Sequence, residues 1–177
     1  MIYFCKNELI NLDMIKYLPE KRREKVDRLK QEIDKKNAIA AWLLLLYALK
    51  KTDLPDFSYD KNKKPYFKEL PDFYFNISHC KIGAVCAVSE SPVGVDIQDI
   101  RPFNLSAAKR VCNDSELKLL GNSQNIDYEF IKLWTKKESI LKQSGKGIGG
   151  GIKSAIPDCK FSVKTYCYEN YIISICE

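Results

Sequence analysis

The segment near residues 127 to 144 has the apolar spacing of an amphipathic helix but carries charged residues on or beside its apolar face. Lys137 falls in the middle of the stripe, Glu138 lies on its edge, and Lys142 follows one turn later on the same side as Glu138. Because an unpaired buried ion is costly, we expect Lys137 to snorkel or to meet a partner. Glu138 and Lys142 form either a surface pair or part of a reactive site. The stripe itself consists of Phe130, Leu133, Trp134, Ile140 and Leu141.

A second candidate site lies in VGVDIQDIRP, residues 93 to 102. The alternation of apolar residues predicts a strand that carries Gly94, Asp96 and Gln98 on one face. A carboxylate followed two residues later by an amide is either half of a site for a hard metal ion or a solvated strand edge.

The single histidine, His79 in NISHC, limits the possible chemistry. One histidine excludes a zinc site built on histidines, and adjacent side chains on a strand face opposite ways, so His79 and Cys80 do not form a dyad. His79 is therefore either structural or a contact for a phosphate or a ring. GKGIGG at 145–150 matches G-x-G-x-x-G but follows a helix and opens none, which excludes a dinucleotide-binding turn.

Composition favours one soluble globular domain of 177 residues, with 45% apolar and 29% charged residues. The apolar run at 38–49 is shorter than the about 20 residues needed to cross a bilayer. The seven cysteines contain no C-x-x-C pair, and MIYFCKNELI lacks the basic start and cleavage site of a signal peptide. We therefore expect reduced thiols in a cytoplasmic protein without a membrane partner.

The net charge of +6 is unevenly distributed. Residues 20–36 contain eight basic and five acidic side chains, and DKNKKP at 60–65 adds three lysines. These are either two solvated surfaces or a surface for a polyanion: a nucleic acid, a nucleotide cofactor or an acidic protein.

The periodicities predict an α+β fold. Each half of the chain has helix first and strands later, and YIISIC near the end echoes GAVCAV at 83–88. This predicts two similar α+β half-units, 1–90 and 91–177, with mainly antiparallel strands packed against helices. Predicted helices are 20–51, 106–112, 114–121 with Asp114 or Ser115 as its cap, and 127–144. Predicted strands are 73–78, 83–88, 93–97, 161–167 and 170–177, with a turn-rich region at 52–72 and a loop at 145–151.

Three segments resemble the motifs of the Sfp-type 4′-phosphopantetheinyl transferases: NISHC at 76–80, GVDIQ at 94–98 and WTKKESILKQSGKG at 134–147. That family has an NISHS-like strand, a G-(V/I)-D-I-E strand end and a W-x-x-K-E-(S/A)-x-x-K helix. PEKR at 19–22, KKP at 63–65, NDSE at 113–116 and the closing KTY…YIISIC also match, so the resemblance spans nearly the whole chain.

The resemblance implies transfer of the phosphopantetheine arm from coenzyme A to a serine of an acyl, peptidyl or aryl carrier protein, with release of adenosine 3′,5′-bisphosphate. It further implies that coenzyme A binds between two half-units of a pseudo-twofold fold. Mg²⁺ would be bound by Asp96 and Glu138. Gln98, a further candidate ligand, stands where the family more often has a third acidic residue.

Roles for the remaining site residues also follow from the resemblance. Asp96, Glu138 and Lys142 would be catalytic. Glu138 would accept the serine proton. Lys142 would bind the phosphates and stabilise their charge in the transition state. Trp134 and Lys137 would hold the helix in place. The phosphates and the adenosine end of coenzyme A would be bound by His79, Ser78, Lys64 and Lys21.

Two alternatives stay open. One is a non-catalytic basic module that binds nucleic acid through residues 20–36, although no nucleic-acid-binding signature is present. The other is a degenerate homologue that binds coenzyme A but transfers nothing. We expect the enzyme, acting as a monomer because both half-units lie in one chain, and we expect no nucleic-acid partner.

Overall fold

The computed structural model describes residues 1–145, 151–155 and 162–177. Helices and antiparallel strands pack together in this part of the chain, which confirms the α+β class. The helices are α1 (Glu20–Asp27), α2 (Glu32–Leu49), α3 (Leu105–Val111), α4 (Asp114–Gly121) and α5 (Ile126–Ser144), with short 3₁₀ turns at Asn7–Leu9, Leu12–Tyr17 and Ile152–Ser154. The strands are β1 (Ile2–Lys6), β2 (Phe57–Tyr59), β3 (Pro65–Phe67), β4 (Tyr74–His79), β5 (Gly83–Ser89), β6 (Gly94–Asp99), β7 (Val163–Cys167) and β8 (Tyr171–Cys176).

The strands form two antiparallel three-stranded sheets and a small hairpin. The first sheet has the order β1-β5-β4, the second has the order β6-β8-β7, and β2 pairs with β3. Helix α2 packs on the first sheet and α5 packs on the second. In both sheets the middle strand is the last of the three along the chain.

A hydrophobic core lies between the two sheets and joins them. It is formed by the sheet faces that point away from α2 and α5, and every residue of β5 except Ser89 is buried. Burial of one such aliphatic side chain stabilises a fold by about 1.5–3 kcal/mol. The two sheets therefore share a core and pack as one body. The fully buried members of this core are Val85, Ala87, Val93, Val95 and Ile97.

Strand β6 lies between β4 and α5, and two features allow this close approach. The Asn76 Oδ1 atom on β4 accepts a hydrogen bond from the Val95 backbone N–H at 2.9 Å. Gly94 has no side chain, and a Cβ atom there would collide with the backbone of Ser139 and Gln143 on α5. The strand that carries Asp96 is thus fixed against both neighbours.

The structure corrects three predictions of local structure. The predicted helix 20–51 is two helices, because the chain leaves helical geometry around Arg28 and Gln31. The cap of α4 is Asn113, not Asp114 or Ser115. The turn-rich region contains the β2–β3 hairpin, and β1 was not predicted. Of the predicted loop 145–151, residues 146–150 lie outside the described residues, as does Phe161 at the predicted start of β7.

Candidate active site

Asp96 on β6 is the centre of a polar cluster at the junction of the two sheets. Its carboxylate is buried, with 1% of the residue exposed. The Oδ1 atom accepts hydrogen bonds from Lys142 Nζ at 2.6 Å and from Ser78 Oγ at 2.7 Å, while Oδ2 accepts one from Gln98 Nε2 at 3.3 Å. Lys142 also donates to Ser78 Oγ at 2.8 Å. These four residues, from β4, β6 and α5, are called the Asp96 cluster below.

Glu138 lies one helical turn before Lys142 and faces the same junction. The residue is 5% exposed, and its carboxylate makes no hydrogen bond or ion pair within the described ranges. Burial raises the pKa of Glu138, and the nearby Asp96 charge raises it further, while Lys142 opposes both effects. The alternative of a surface pair between Glu138 and Lys142 is wrong, because Lys142 pairs with Asp96 instead.

Lys137 is fully buried and partnered. Its ammonium donates to Glu116 Oε2 at 2.6 Å, to the Val111 carbonyl at 2.9 Å and to the Lys153 carbonyl at 3.1 Å. Glu116 Oε2 also accepts from the Asn113 backbone N–H and so closes the capping box of α4. Lys137 therefore ties α3, α4 and the 3₁₀ turn at Ile152–Ser154 to the helix that carries Glu138 and Lys142.

His79 ends β4 beside Ser78 and lines a cavity of about 300 Å³. Its side chain is exposed, yet its pKa is lowered, first by desolvation and then by the Lys142 charge, against weaker opposing effects of Asp34 and Asp96. A larger cavity of about 600 Å³ shares three residues with this one and is also lined by Lys21. The two cavities therefore adjoin, one beside Lys21 and the other beside His79, and together they are called the trough below. The shared residues are Arg22, Trp42 and Phe57.

Lys21 and Lys64 lie outside the Asp96 cluster. Lys21 is an exposed residue of α1 and pairs with Asp56 at 3.3 Å. Lys64 donates to the backbone carbonyls of Val93 and Gln143, each at 3.1 Å, and burial lowers its pKa. It thereby links the loop before β3 to the last turn of α5.

Comparison with known proteins identifies the family of this chain. Residues 92–176 match the model of the 4′-phosphopantetheinyl transferase superfamily. A 4′-phosphopantetheinyl transferase of Bacillus subtilis is 34% identical over 159 residues, which cover 85% of this chain and 68% of that protein. The chain belongs to the 4′-phosphopantetheinyl transferase superfamily.

Two further members of the superfamily match a similar part of the chain. The 4′-phosphopantetheinyl transferase Sfp of Bacillus subtilis (strain 168) is 32% identical over 165 residues, covering 88% of this chain and 70% of Sfp. A 4′-phosphopantetheinyl transferase of Bacillus pumilus is 30% identical over 158 residues, which cover 84% of this chain and 67% of that protein. The predicted family and the predicted transferase activity are confirmed. None of the helices in the described ranges is long and apolar enough to cross a membrane.

The donor atoms at the junction fit a hard cation such as Mg²⁺. Asp96 and Glu138 supply carboxylate oxygens, and Mg²⁺ is commonly bound through one or two carboxylates while it retains several waters. Gln98 directs its amide nitrogen at Asp96, so a ligand role requires the amide to turn its oxygen inward. Across the described residues there is no cluster of three or more histidine, cysteine, aspartate and glutamate side chains suited to a metal. The junction thus offers a cation two carboxylates and, if the amide turns, the oxygen of Gln98.

Three contributors to the site were missed in the sequence. Arg22 lies 4.1 Å from the ring centroid of Phe57 and 5.0 Å from that of Trp42, so it forms a wall of the trough. Asn76 and Gly94 position β6. Gly94 could have been recognised, since a glycine inside a strand pattern often marks a close approach of another backbone. Nothing local distinguishes Arg22 from its basic neighbours.

Proposed function

We propose that this chain transfers the 4′-phosphopantetheine arm of coenzyme A to a serine hydroxyl of an acyl, peptidyl or aryl carrier protein and releases adenosine 3′,5′-bisphosphate. Membership of the superfamily supports the transferase activity. The structural observation that carries the site assignment is the convergence of Asp96, Glu138 and Lys142 where the two sheets meet. We further propose that it acts as a cytoplasmic monomer without a nucleic-acid partner.

We propose that the chain consists of two half-units, 1–90 and 91–177, related by a pseudo-twofold axis. The proposal is supported by the order of elements, since each half has one strand, then helices, then a strand pair, with the β2–β3 hairpin as an addition in the first half. It is also supported by the equivalent strand orders β1-β5-β4 and β6-β8-β7. Coenzyme A would then lie along the junction of the half-units.

Coenzyme A would occupy the trough, whose His79 follows Ser78 of the Asp96 cluster in the chain. His79, Ser78 and Lys142 would bind its phosphates, and Lys21 would bind the adenosine end. Lys142 suits this role because an ammonium acts as a point charge toward phosphate oxygens. Lys64 would contribute by holding the last turn of α5, because its ammonium donates to the Gln143 carbonyl in that turn and to the Val93 carbonyl before β6.

Asp96 and Glu138 would hold Mg²⁺, with Gln98 as a third oxygen ligand. When bound, the metal neutralises negative charge on the phosphate oxygens. The serine oxygen forms a bond to the phosphorus that carries the pantetheine group, and the bond from that phosphorus to the adenosine bisphosphate oxygen breaks. Glu138, directly or through a water, accepts the serine proton, a role favoured by its raised pKa. Lys142 stabilises the charge that develops on the phosphate.

The decisive test is to incubate the protein with coenzyme A, Mg²⁺ and apo carrier proteins of several classes and to measure the mass of each carrier. We expect a gain equal to one phosphopantetheine arm, absent from a carrier whose acceptor serine is replaced by alanine. Coenzyme A binding without any mass gain would identify a degenerate homologue. Salt-sensitive binding of nucleic acid without transfer would favour the basic module.

A further inference from the structure

We propose that Lys142 and Gln98 hold Asp96 in a cluster that a divalent cation must open, so that Mg²⁺ binds weakly alone and enters together with the pyrophosphate of the ligand. This inference rests on the proposed function, because a pyrophosphate gives the displaced Lys142 ammonium a new anionic partner. It concerns the order and coupling of binding rather than the identity of the metal ligands.

The first argument is that both oxygens of Asp96 are already engaged. Oδ1 accepts from Lys142 at 2.6 Å and from Ser78 at 2.7 Å, and Oδ2 accepts from Gln98 at 3.3 Å. Asp96 is 1% exposed, so its charge depends on these donors in place of water. A cation that coordinates Oδ1 must replace one of its two donors, and a cation that coordinates Oδ2 beside Gln98 lies on the same carboxylate as the Lys142 ammonium.

The second argument concerns charge. The Lys142 ammonium is a full positive charge on the carboxylate that would bind Mg²⁺, and the pair is shielded from solvent because the Lys142 side chain is only 27% exposed and that of Asp96 is 2% exposed. Such pairs are screened much less than exposed ones. Adding Mg²⁺ beside this ammonium brings two like charges together. An incoming pyrophosphate removes the conflict, because it can neutralise both cations at once.

The third argument comes from Glu138, which lacks the donors that Asp96 has. The residue is 5% exposed, and its carboxylate makes no hydrogen bond or ion pair with any described residue. The Glu138 carboxylate is therefore free to bind a cation, whereas the Asp96 carboxylate is already hydrogen-bonded to protein side chains. The site is half-formed for Mg²⁺ until Lys142 moves.

Gln98 contributes a hydrogen-bond donor to the Asp96 cluster. Its amide nitrogen donates to Asp96, which a glutamate at the same position could not do. Replacement of Gln98 by glutamate would remove a donor from Asp96 and add a negative charge beside the site. Gln98→Glu should therefore bind Mg²⁺ alone more tightly than the wild-type protein does.

The test is isothermal titration of the full chain with MgCl₂ alone, and again at saturating coenzyme A. We expect weak binding of Mg²⁺ alone, and at least about tenfold tighter binding once coenzyme A is present. By linkage, Mg²⁺ must tighten coenzyme A binding by the same factor. Lys142→Gln should bind Mg²⁺ alone at least about tenfold more tightly than wild type. The matched control Lys136→Gln changes a lysine of α5 outside the Asp96 cluster and should leave Mg²⁺ binding unchanged.

A second measurement follows the Lys142 ammonium itself in the wild-type protein. NMR of the lysine ammonium groups, with the Lys142 signal assigned by its loss in Lys142→Gln, should show a slowly exchanging ammonium. That signal should change when Mg²⁺ and coenzyme A are added together and stay unchanged with Mg²⁺ alone. A change with Mg²⁺ alone would overturn the proposal.

The outcomes separate this inference from the proposed function. Equal affinity of wild type and Lys142→Gln for Mg²⁺ alone overturns the inference even if carrier proteins gain mass. A tighter Lys142→Gln variant supports it even if no carrier gains mass, in which case the transferase proposal fails. If no variant binds Mg²⁺ with or without coenzyme A, both the metal assignment and the inference fail.

Discussion

The Lys137 ammonium and the Glu116 carboxylate form a buried ion pair of 2.6 Å between α5 and α4. The lysine side chain is fully buried, and that of the glutamate is 14% exposed. The other two acceptors of the Lys137 ammonium are neutral backbone carbonyls. Glu116 is therefore the group that neutralises the charge of Lys137. It fixes the helix that presents Glu138 and Lys142 to Asp96.

Replacement of Lys137 by methionine should destabilise the protein strongly. Removing one partner of a buried pair leaves an uncompensated charge and typically costs about 3–5 kcal/mol. The free energy of unfolding, measured by urea titration, checks this. The double variant Lys137→Met, Glu116→Leu should lose less than the sum of the single changes. An additive double variant would show that the pair is not coupled.

Replacement of Gly94 by alanine should disturb the site through the backbone. The new Cβ would collide with the backbone of Ser139 and Gln143, so β6 and α5 must separate. Overpacking of this kind costs about 1–3 kcal/mol, and separation of Asp96 from Lys142 should lower the transfer rate. Thermal unfolding and a carrier mass assay measure the two effects.

Gly121 offers a matched control for Gly94. A Cβ atom at Gly121, the last residue of α4, would meet no other atom within 4 Å. Gly121→Ala should therefore be neutral, or stabilising by up to about 1 kcal/mol. If both alanine variants behave alike, the close approach at Gly94 does not position the site.

The site residues of α5 were predictable because they place charges on or beside the apolar face of an amphipathic helix, where apolar residues are expected. A lysine in the middle of an apolar stripe requires a partner, and Lys137 has one in Glu116. The helix bounds were predicted within one residue, since helical periodicity is strong over 19 positions. Asp96 was singled out by its place at a strand end.

The partner of Lys142 could not be predicted from the sequence. Spacing of four residues along one helix favoured Glu138, whereas the structure pairs Lys142 with Asp96, 46 positions away in the chain. The break between α1 and α2 was missed for a related reason: neither glycine nor proline lies at residues 28–31, so only packing of α1 and α2 separates the helices. Long-range packing decided both features.

His79 should make stability depend on pH below neutrality. Its pKa is lowered, so the unfolded chain binds a proton more readily than the folded one. The stabilisation is present above the ordinary histidine pKa of about 6.5 and is lost as pH falls through the folded pKa. Thermal unfolding should show wild type losing stability relative to His79→Gln between about pH 7 and pH 5. The effect should be small because the side chain is exposed.

The same histidine provides a direct check of ligand binding. His79 is the single histidine of the chain, so its NMR titration is unambiguous. We expect a pKa below the ordinary value in the protein alone and a higher pKa with coenzyme A, because a nearby phosphate favours the charged imidazole. An unchanged pKa in the presence of bound coenzyme A would place His79 away from the phosphates.

Glu138→Gln should separate stability from activity. The substitution removes a buried negative charge whose pKa is raised by desolvation, so the free energy of unfolding above neutral pH should rise by about 0.5–2 kcal/mol, the range of typical stabilising changes. Transfer should fall at least about 10²-fold, since an amide cannot accept the serine proton. Asp96→Asn should also abolish transfer, but it should destabilise the protein because Lys142 loses its counter-ion. Urea titration with the carrier mass assay measures both properties. If Glu138→Gln is less stable than wild type and still active, Glu138 is a structural residue and the base lies elsewhere.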